Sequence, residues 1–228
     1  MDVAAHDVGR ILDRQPWGLV EEQLRRAGSD PELVLPKLRT YARLLLEWNR
    51  GYSNLISRND ERRIVERHLV ESLEPAHWLN ASGSKKWMDF GSGGGLPAIP
   101  LLLAGVGESW TLVESRRNKT LFLRRVVQDL GLENVAVELA RLEMLSGEAD
   151  RMGRFDGFTS RATLRLAPTL ALAAEWVVPG GFAFLWKGSR REDEMAGDRS
   201  WERWWSEDGL LSLGTGQTVV VRFVRKNG

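Results

Sequence analysis

Apolar residues in the first third of the chain recur at three- and four-residue steps. Trp17, Val20, Leu24 and Ala27 form one stripe, and Leu38, Tyr41, Leu45 and Trp48 form a second. A third, Val65, Leu69, Leu73 and Ala76, comes after Asn59-Asp60, a pair suited to starting a helix. This spacing predicts three helices. Gly28-Ser29-Asp30-Pro31 breaks the first from the second, Gly51 ends the second, and Ala81-Ser82-Gly83-Ser84 reads as a tight turn or linker. Residues 1–81 are therefore expected to form a helical part packed on a core built by the remaining residues.

From residue 85 the pattern changes to short apolar runs bounded by turns. Strands are expected at Trp87–Phe90, Trp110–Val113, Val135–Val137, Phe155–Thr159 and Phe182–Trp186, the last after the turn Pro179-Gly180-Gly181. Amphipathic stretches at 97–104, 118–130 and 163–177 separate them. Strand–helix alternation implies a parallel sheet covered on both faces. The end differs, because Gly209–Leu213, a Gly-Thr-Gly turn and Gln217–Arg225 have the spacing of a hairpin. The expected class is α/β, with five parallel strands and a C-terminal antiparallel pair in a domain spanning 82–228.

Composition adds mainly exclusions. The chain has 228 residues, with 43% hydrophobic and 28% charged, which suits a folded globular protein rather than a disordered one. The absence of cysteine rules out disulfides, thiolate metal sites and a cysteine nucleophile. Three histidines argue against a histidine-rich metal centre, and no metal is expected. A net charge of +1 announces no nucleic-acid partner, although local clusters stand at Arg62-Arg63, Arg116-Arg117 with Lys119, and Arg124-Arg125. Such runs more often form a solvated face, and they track phosphates only if the fold brings them together. No apolar run approaches membrane-spanning length, and the first residues lack a secretory pattern. A cytoplasmic protein without membrane association is expected. Trp201, Trp204 and Trp205 read as packing residues under the sheet rather than a base-stacking platform.

The candidate chemistry lies in Gly91-Ser92-Gly93-Gly94-Gly95, which succeeds the first predicted strand and opens a helix. Glycines there let the backbone approach a ligand, and ligands of such sheets bind at the carboxyl ends of the strands. The dinucleotide fingerprint requires a small residue at 96, where Leu96 stands, and the lysine of a P-loop is missing. Asp89, just before the loop, would repel a pyrophosphate but suits a ligand carrying an ammonium group, such as the methionine part of S-adenosylmethionine. Glu114, ending the second strand, is placed to accept bonds from ribose hydroxyls. Two carboxylates around a loop that is not built for phosphate point to a methyltransferase rather than a dehydrogenase. The reversed last strand agrees with a class I, Rossmann-like fold.

Several further pieces carry a closer likeness. In order they are Leu46-Glu47-Trp48-Asn49-Arg50, Asn54-Leu55-Ile56-Ser57, Arg67-His68-Leu69-Val70-Glu71-Ser72, Asp89 to Pro97, and Leu112-Val113-Glu114-Ser115 with Lys119 and Phe122-Leu123. Arg141-Leu142-Glu143, Thr159-Ser160-Arg161-Ala162 and Lys187-Gly188 complete the series. Over roughly residues 35–190 the chain resembles the bacterial 16S rRNA guanine-N7 methyltransferases, the glucose-inhibited division protein B family. It departs at Glu71, where the family usually has Asp, and around Tyr52–Leu55.

The resemblance implies S-adenosylmethionine as cofactor, and 16S rRNA or the small ribosomal subunit as partner. The target would be a guanine in the 530 loop. The cofactor set is then Asp89, Gly91, Gly93, Gly95, Leu96, Glu114, Leu142, Glu143 and Arg161, with Leu142 and Glu143 flanking the adenine. The substrate set is Arg67, His68, Arg161 and Lys187. Arg161 suits bidentate recognition of cofactor, phosphate or guanine edge, against a plain salt bridge. Lys187 reads as a phosphate contact or as a solvated strand end. His68 reads first as a structural hydrogen-bonding residue, and Arg67 with Glu71 as a helix-surface pair. No proton carrier is assigned, because guanine N7 has a lone pair and no proton to lose. A small-molecule methyltransferase, or a non-catalytic RNA-binding module on the same fold, are the alternatives.

Overall fold

In the computed structural model each central strand sends alternate side chains to opposite faces of one sheet, and two cores result. Trp87, Leu112, Phe184 and Val220 point into one; their neighbours Met88, Val113, Leu185 and Val221 point into the other. A strand's two-residue side-chain period requires this split when both faces are covered. The structure describes residues 3–141, 153–161, 163–214, 216 and 218–227.

The chain begins with helices α1 (Val3–Asp13), α2 (Trp17–Arg26) and α3 (Pro31–Gly51). Asp30 caps α3 by accepting from the Glu32 amide at 2.9 Å, and Pro31 occupies the first turn, where its missing N–H costs nothing. A 3-10 turn (Asp60–Arg63), a π-helical turn (Val65–Val70), α4 (Glu71–Leu73) and α5 (Ala76–Ala81) come next. The third predicted helix is thus not one regular α-helix, although its stripe of Val65, Leu69, Leu73 and Ala76 is buried as expected. The π turn widens the backbone where Arg67 and His68 stand, as such turns frequently do at functional sites.

The sheet is built from β1 (Lys86–Phe90), α6 (Ala98–Leu103), β2 (Ser109–Glu114), α7 (Arg117–Asp129), β3 (Val135–Leu139), β4 (Phe155–Arg161), α8 (Leu166–Trp176), β5 (Val177–Lys187), α9 (Arg191–Gly197), β6 (Trp205–Ser212) and β7 (Val219–Arg225). Its order is β3-β2-β1-β4-β5-β7-β6. The pairs from β3 to β5 are parallel, and β7 is antiparallel to both neighbours. This is the expected Rossmann-like methyltransferase arrangement. Strand β5 begins earlier than the apolar run suggests, at Val177, because a register shift absorbs the Pro179-Gly180-Gly181 turn inside the strand.

The core on one face joins Val20, Leu45 and Leu69 of the N-terminal helices to Trp87, Phe122 and Phe184. The opposite core holds Leu166 and Leu170 of α8 with Trp201, Trp205 and Phe223. Trp87 and Trp110 stack at 5.3 Å between ring centres, and their indole N–H groups donate to Ser84 and Val106 carbonyls. Trp201 and Trp205 are buried, and Trp204 lies under Arg203 and Arg225, so this cluster packs. No helix among the described residues is long and apolar enough to cross a membrane. The strand order reverses between β1 and β4, which opens a crevice at their carboxyl ends.

Candidate active site

The glycine loop lies at that crevice. Gly91, Gly93 and Gly95 all have left-handed backbone, with φ of 69°, 54° and 81°. The Gly91 and Ser92 amides donate to the Val113 carbonyl at 2.9 and 3.1 Å, which ties the turn to β2. A Cβ on Gly91 would stand 2.3 Å from Thr163 Cγ2, and one on Gly95 2.6 Å from Ile99 Cγ1. Both glycines are therefore required by packing. Gly93 differs, since among the described residues nothing lies nearer than 3.7 Å to its would-be Cβ, and that side is where a ligand can approach. Leu96 is half-buried at the end of the loop, against the first core.

Two carboxylates flank the loop. Glu114 is buried; its Oε2 accepts from the Gly93 amide at 2.9 Å and its Oε1 from the Arg116 amide at 2.7 Å. Its carboxylate thus fixes the loop as well as facing it. Asp89 is 1% exposed. Its Oδ1 accepts from Thr159 Oγ1 at 2.6 Å, but its Oδ2 is buried with no partner among the described residues. A buried acceptor without a donor is costly and usually marks an unseen ligand or water. Burial pushes the Asp89 carboxyl up to about 7.

The N-terminal helices hold the loop from above. Tyr41 Oη donates to the Gly94 carbonyl at 2.5 Å, and Leu45 and Leu55 close over the Gly94 Cα. Asn49 arranges the segment that carries Leu55. Its Oδ1 accepts from the Leu55 and Ile56 amides at 2.6 and 3.0 Å, while its Nδ2 donates to the buried Glu61 at 2.8 Å. Sequence reasoning noted Tyr41 only as a helix-stripe residue and missed Glu61. The Trp48-Asn49-Arg50 motif was the available signal.

Across the crevice, Glu71 is fully buried and accepts from Arg67 Nη1 at 2.8 Å and Arg161 Nη2 at 2.7 Å. Arg161 Nη2 also donates to the Arg67 carbonyl at 2.8 Å, and Trp186 Nε1 donates to the Glu71 carbonyl at 2.9 Å. The expected surface pair of Arg67 and Glu71 is corrected, because the π turn rotates Glu71 into the protein, where Arg161 from β4 joins it. Among the described residues Arg161 Nη1 remains buried without a partner.

His68 also differs from expectation. Among the described residues neither ring nitrogen has a hydrogen-bond partner; the nearest acid is Asp60 Oδ2, 3.7 Å from Nε2. It is therefore not a satisfied structural histidine. Burial, and then the charge of nearby Arg161, pull the imidazole down to about 3, so it is neutral at pH 7. Lys187 is not a solvated strand end. Its Nζ donates to Glu194 Oε2 at 2.8 Å and to the Leu164 carbonyl at 3.2 Å, and its side chain is 12% exposed. The pairing arises because α9 returns over the end of β5, which the sequence did not reveal. Leu142 and Glu143 lie outside the described residues. Among those described, no group of three or more acidic or histidine side chains converges as a metal site.

The two perturbed groups give opposite pH signatures. Between about pH 4 and 7 the folded state keeps an Asp89 proton that the unfolded chain releases, so this group makes stability fall as pH rises. Between about pH 3 and 6.5 the unfolded chain protonates His68 and the folded one does not, so this group makes stability fall as pH drops. From about pH 4 to 6.5 the two slopes cancel. Asp89→Asn should uncover the histidine slope, losing about 1.4 kcal/mol of stability per pH unit on acidification relative to the parent. Denaturant unfolding at several pH values measures this. Parallel curves for the two proteins would contradict the assignment of Asp89.

A family model described as rRNA small subunit methyltransferase G, GidB, matches residues 34–206. A protein of Sorangium cellulosum named ribosomal RNA small subunit methyltransferase G is 37% identical over 196 residues, covering 86% of this chain and 81% of that protein. One of the same name from Stenotrophomonas maltophilia is 40% identical over 177 residues, covering 78% and 79%. Among solved structures, the tRNA (m1A58) methyltransferase TrmI of Aquifex aeolicus superposes with a TM-score of 0.54 at 16% identity, covering 69% of this chain and 68% of that one. The PH0226 protein of Pyrococcus horikoshii gives 0.55 at 15% identity, covering 79% and 99%. At such identities the structural likeness is one of fold.

Proposed function

The chain belongs to the rRNA small subunit methyltransferase G family, and we propose that it transfers a methyl group from S-adenosylmethionine to N7 of a guanine in the 530 loop of 16S rRNA. The observation that carries the reading is the buried, half-satisfied Asp89 beside a left-handed glycine loop whose Gly93 amide donates to Glu114. These residues fit the cofactor. Asp89 and Glu114 would meet its ammonium group and ribose, Gly93 would let its body approach the backbone, and Leu96 would line its apolar side. Leu142 and Glu143 complete the proposed cofactor set.

S-adenosylmethionine supplies a methyl already activated on sulfonium. The protein's task is then alignment rather than proton transfer. Guanine N7 becomes cationic on methylation, so a neutral base-facing side chain is preferable to a charged one. Burial keeps His68 uncharged, and Glu71 offsets the guanidiniums of Arg67 and Arg161. Arg161 Nη1 is a donor in search of an acceptor and suits the guanine edge or a phosphate. Lys187 joins this set as a cation that exchanges Glu194 for an RNA phosphate.

The deciding experiment is transfer from labelled S-adenosylmethionine to small ribosomal subunits lacking the modification, with the nucleotide identified by mass spectrometry. 7-Methylguanosine in the 530 loop is expected. Measurable cofactor binding without label in that loop would sink the assignment of the target base and leave the cofactor intact.

A further inference from the structure

The described surface carries a second concave site that methyl transfer does not use. A cavity of about 430 Å³ is lined by Arg10 of α1, Arg14 and Gln15 just after it, Arg50 at the end of α3, and Arg62 of the 3-10 turn, with Asp7 as its one acid. Its walls are fastened. Gln15 Nε2 donates to the Arg62 carbonyl at 3.0 Å and Gln15 Oε1 accepts from the Val65 amide at 3.3 Å, which ties α1 to the turn. Arg50 is pinned between Asp7 at 2.5 Å and the buried Glu61 at 2.9 Å. Asp7 is thereby already engaged by Arg50 and, at 3.8 Å, by Arg10. Arg14 and Arg62 are exposed, and among the described residues neither guanidinium makes a hydrogen bond or ion pair. Four guanidiniums against two carboxylates, Asp7 and Glu61, both already engaged, leave a positive hollow in which the Arg14 and Arg62 forks are free among the described residues.

The same 3-10 turn links this hollow to the crevice. Arg62 faces the cavity, while Asp60 lies 3.7 Å from His68 and Glu61 holds Asn49, whose acceptor positions the segment over Gly94. The hollow and the His68 side of the crevice are thus joined through one short turn. The α1 wall precedes residue 34, where the family match begins. We propose that the Arg14–Arg62 hollow seats a backbone phosphate of the RNA substrate at a distance from the target base, an inference that rests on the rRNA reading of the active site. Planar guanidiniums suit bidentate phosphate contact. Such a contact positions the RNA and carries no sequence information.

The test is salt-dependent binding of deproteinised 16S rRNA by the full chain and by the double variant Arg14→Glu/Arg62→Glu. S-Adenosylmethionine affinity and melting temperature serve as controls. Each phosphate contact contributes roughly 0.7–0.9 to the slope of log affinity against log salt. The variant should therefore lose roughly 0.7–0.9 from that slope, bind rRNA at least about tenfold more weakly, and keep its cofactor affinity. Arg14→Gln/Arg62→Gln provides the same readout should the glutamates perturb folding. An unchanged slope and affinity in the variant, with a wild type that methylates rRNA, would overturn this inference alone. A wild type that neither binds nor methylates rRNA would overturn it together with its premise.

Discussion

Gly93→Val should reduce S-adenosylmethionine affinity at least about 100-fold, equivalent to about 2.7 kcal/mol, while leaving the protein folded. Gly93 has a φ of 54°, where a β-branched residue is strained by about 1–2 kcal/mol. For a chain of this size that lowers the melting temperature by only a few degrees. Among the described residues nothing clashes with the new Cβ, whose nearest neighbours are the Gly91 carbonyl at 3.7 Å and Lys119 Nζ at 3.9 Å. The isopropyl group therefore fills the space reserved for ligand and shields the backbone that the ligand must approach. Gly95→Val is the contrast. Its Cβ would stand 2.6 Å from Ile99 and 3.2 Å from Leu123, so it should damage folding first. Calorimetric titration together with thermal unfolding separates the two. A Gly93→Val protein that binds cofactor normally would remove the loop from the site.

The largest stability effect is expected at Glu71. Glu71→Ala withdraws the buried carboxylate that Arg67 and Arg161 share. Removing one partner of a buried ion pair leaves uncompensated charge and costs about 3–5 kcal/mol. The melting temperature should fall by about 10 °C or more. Methyl transfer should fall too, because Arg161 loses the anchor that holds it at the end of β4. Glu71→Gln keeps the shape and one acceptor oxygen, so it should cost less stability than alanine. A loss below about 1 kcal/mol for Glu71→Ala would mean that water reaches the triad and the pair is worth no more than a surface one.

Much of the sheet was legible because its signals are local. Asp89-Phe90-Gly91 at a strand end, Glu114 at the next, and the late hairpin each declare themselves within a few residues. Parallel pairing of the central strands followed from strand–helix alternation, and the reversed last strand from the hairpin spacing. The π turn was not legible, since Val65, Leu69, Leu73 and Ala76 keep an α-helical stripe although the backbone between them is wider. Nor was the Lys187–Glu194 pair, which joins residues from different elements through the return of α9. A charge in the sequence carries no record of what it faces.

The sequence by itself therefore determined the fold class, the position of the glycine loop and the two carboxylates beside it, because periodicity and glycine placement are properties of contiguous residues. Only the tertiary structure decided which polar groups are satisfied. It placed Glu71 between two arginines and, among the described residues, left Asp89 Oδ2, Arg161 Nη1 and both nitrogens of His68 without partners. It also gathered Arg14, Arg50 and Arg62 into one hollow. Burial and pairing depend on distances between residues far apart in the chain, and those distances exist only once the helices have closed over the sheet.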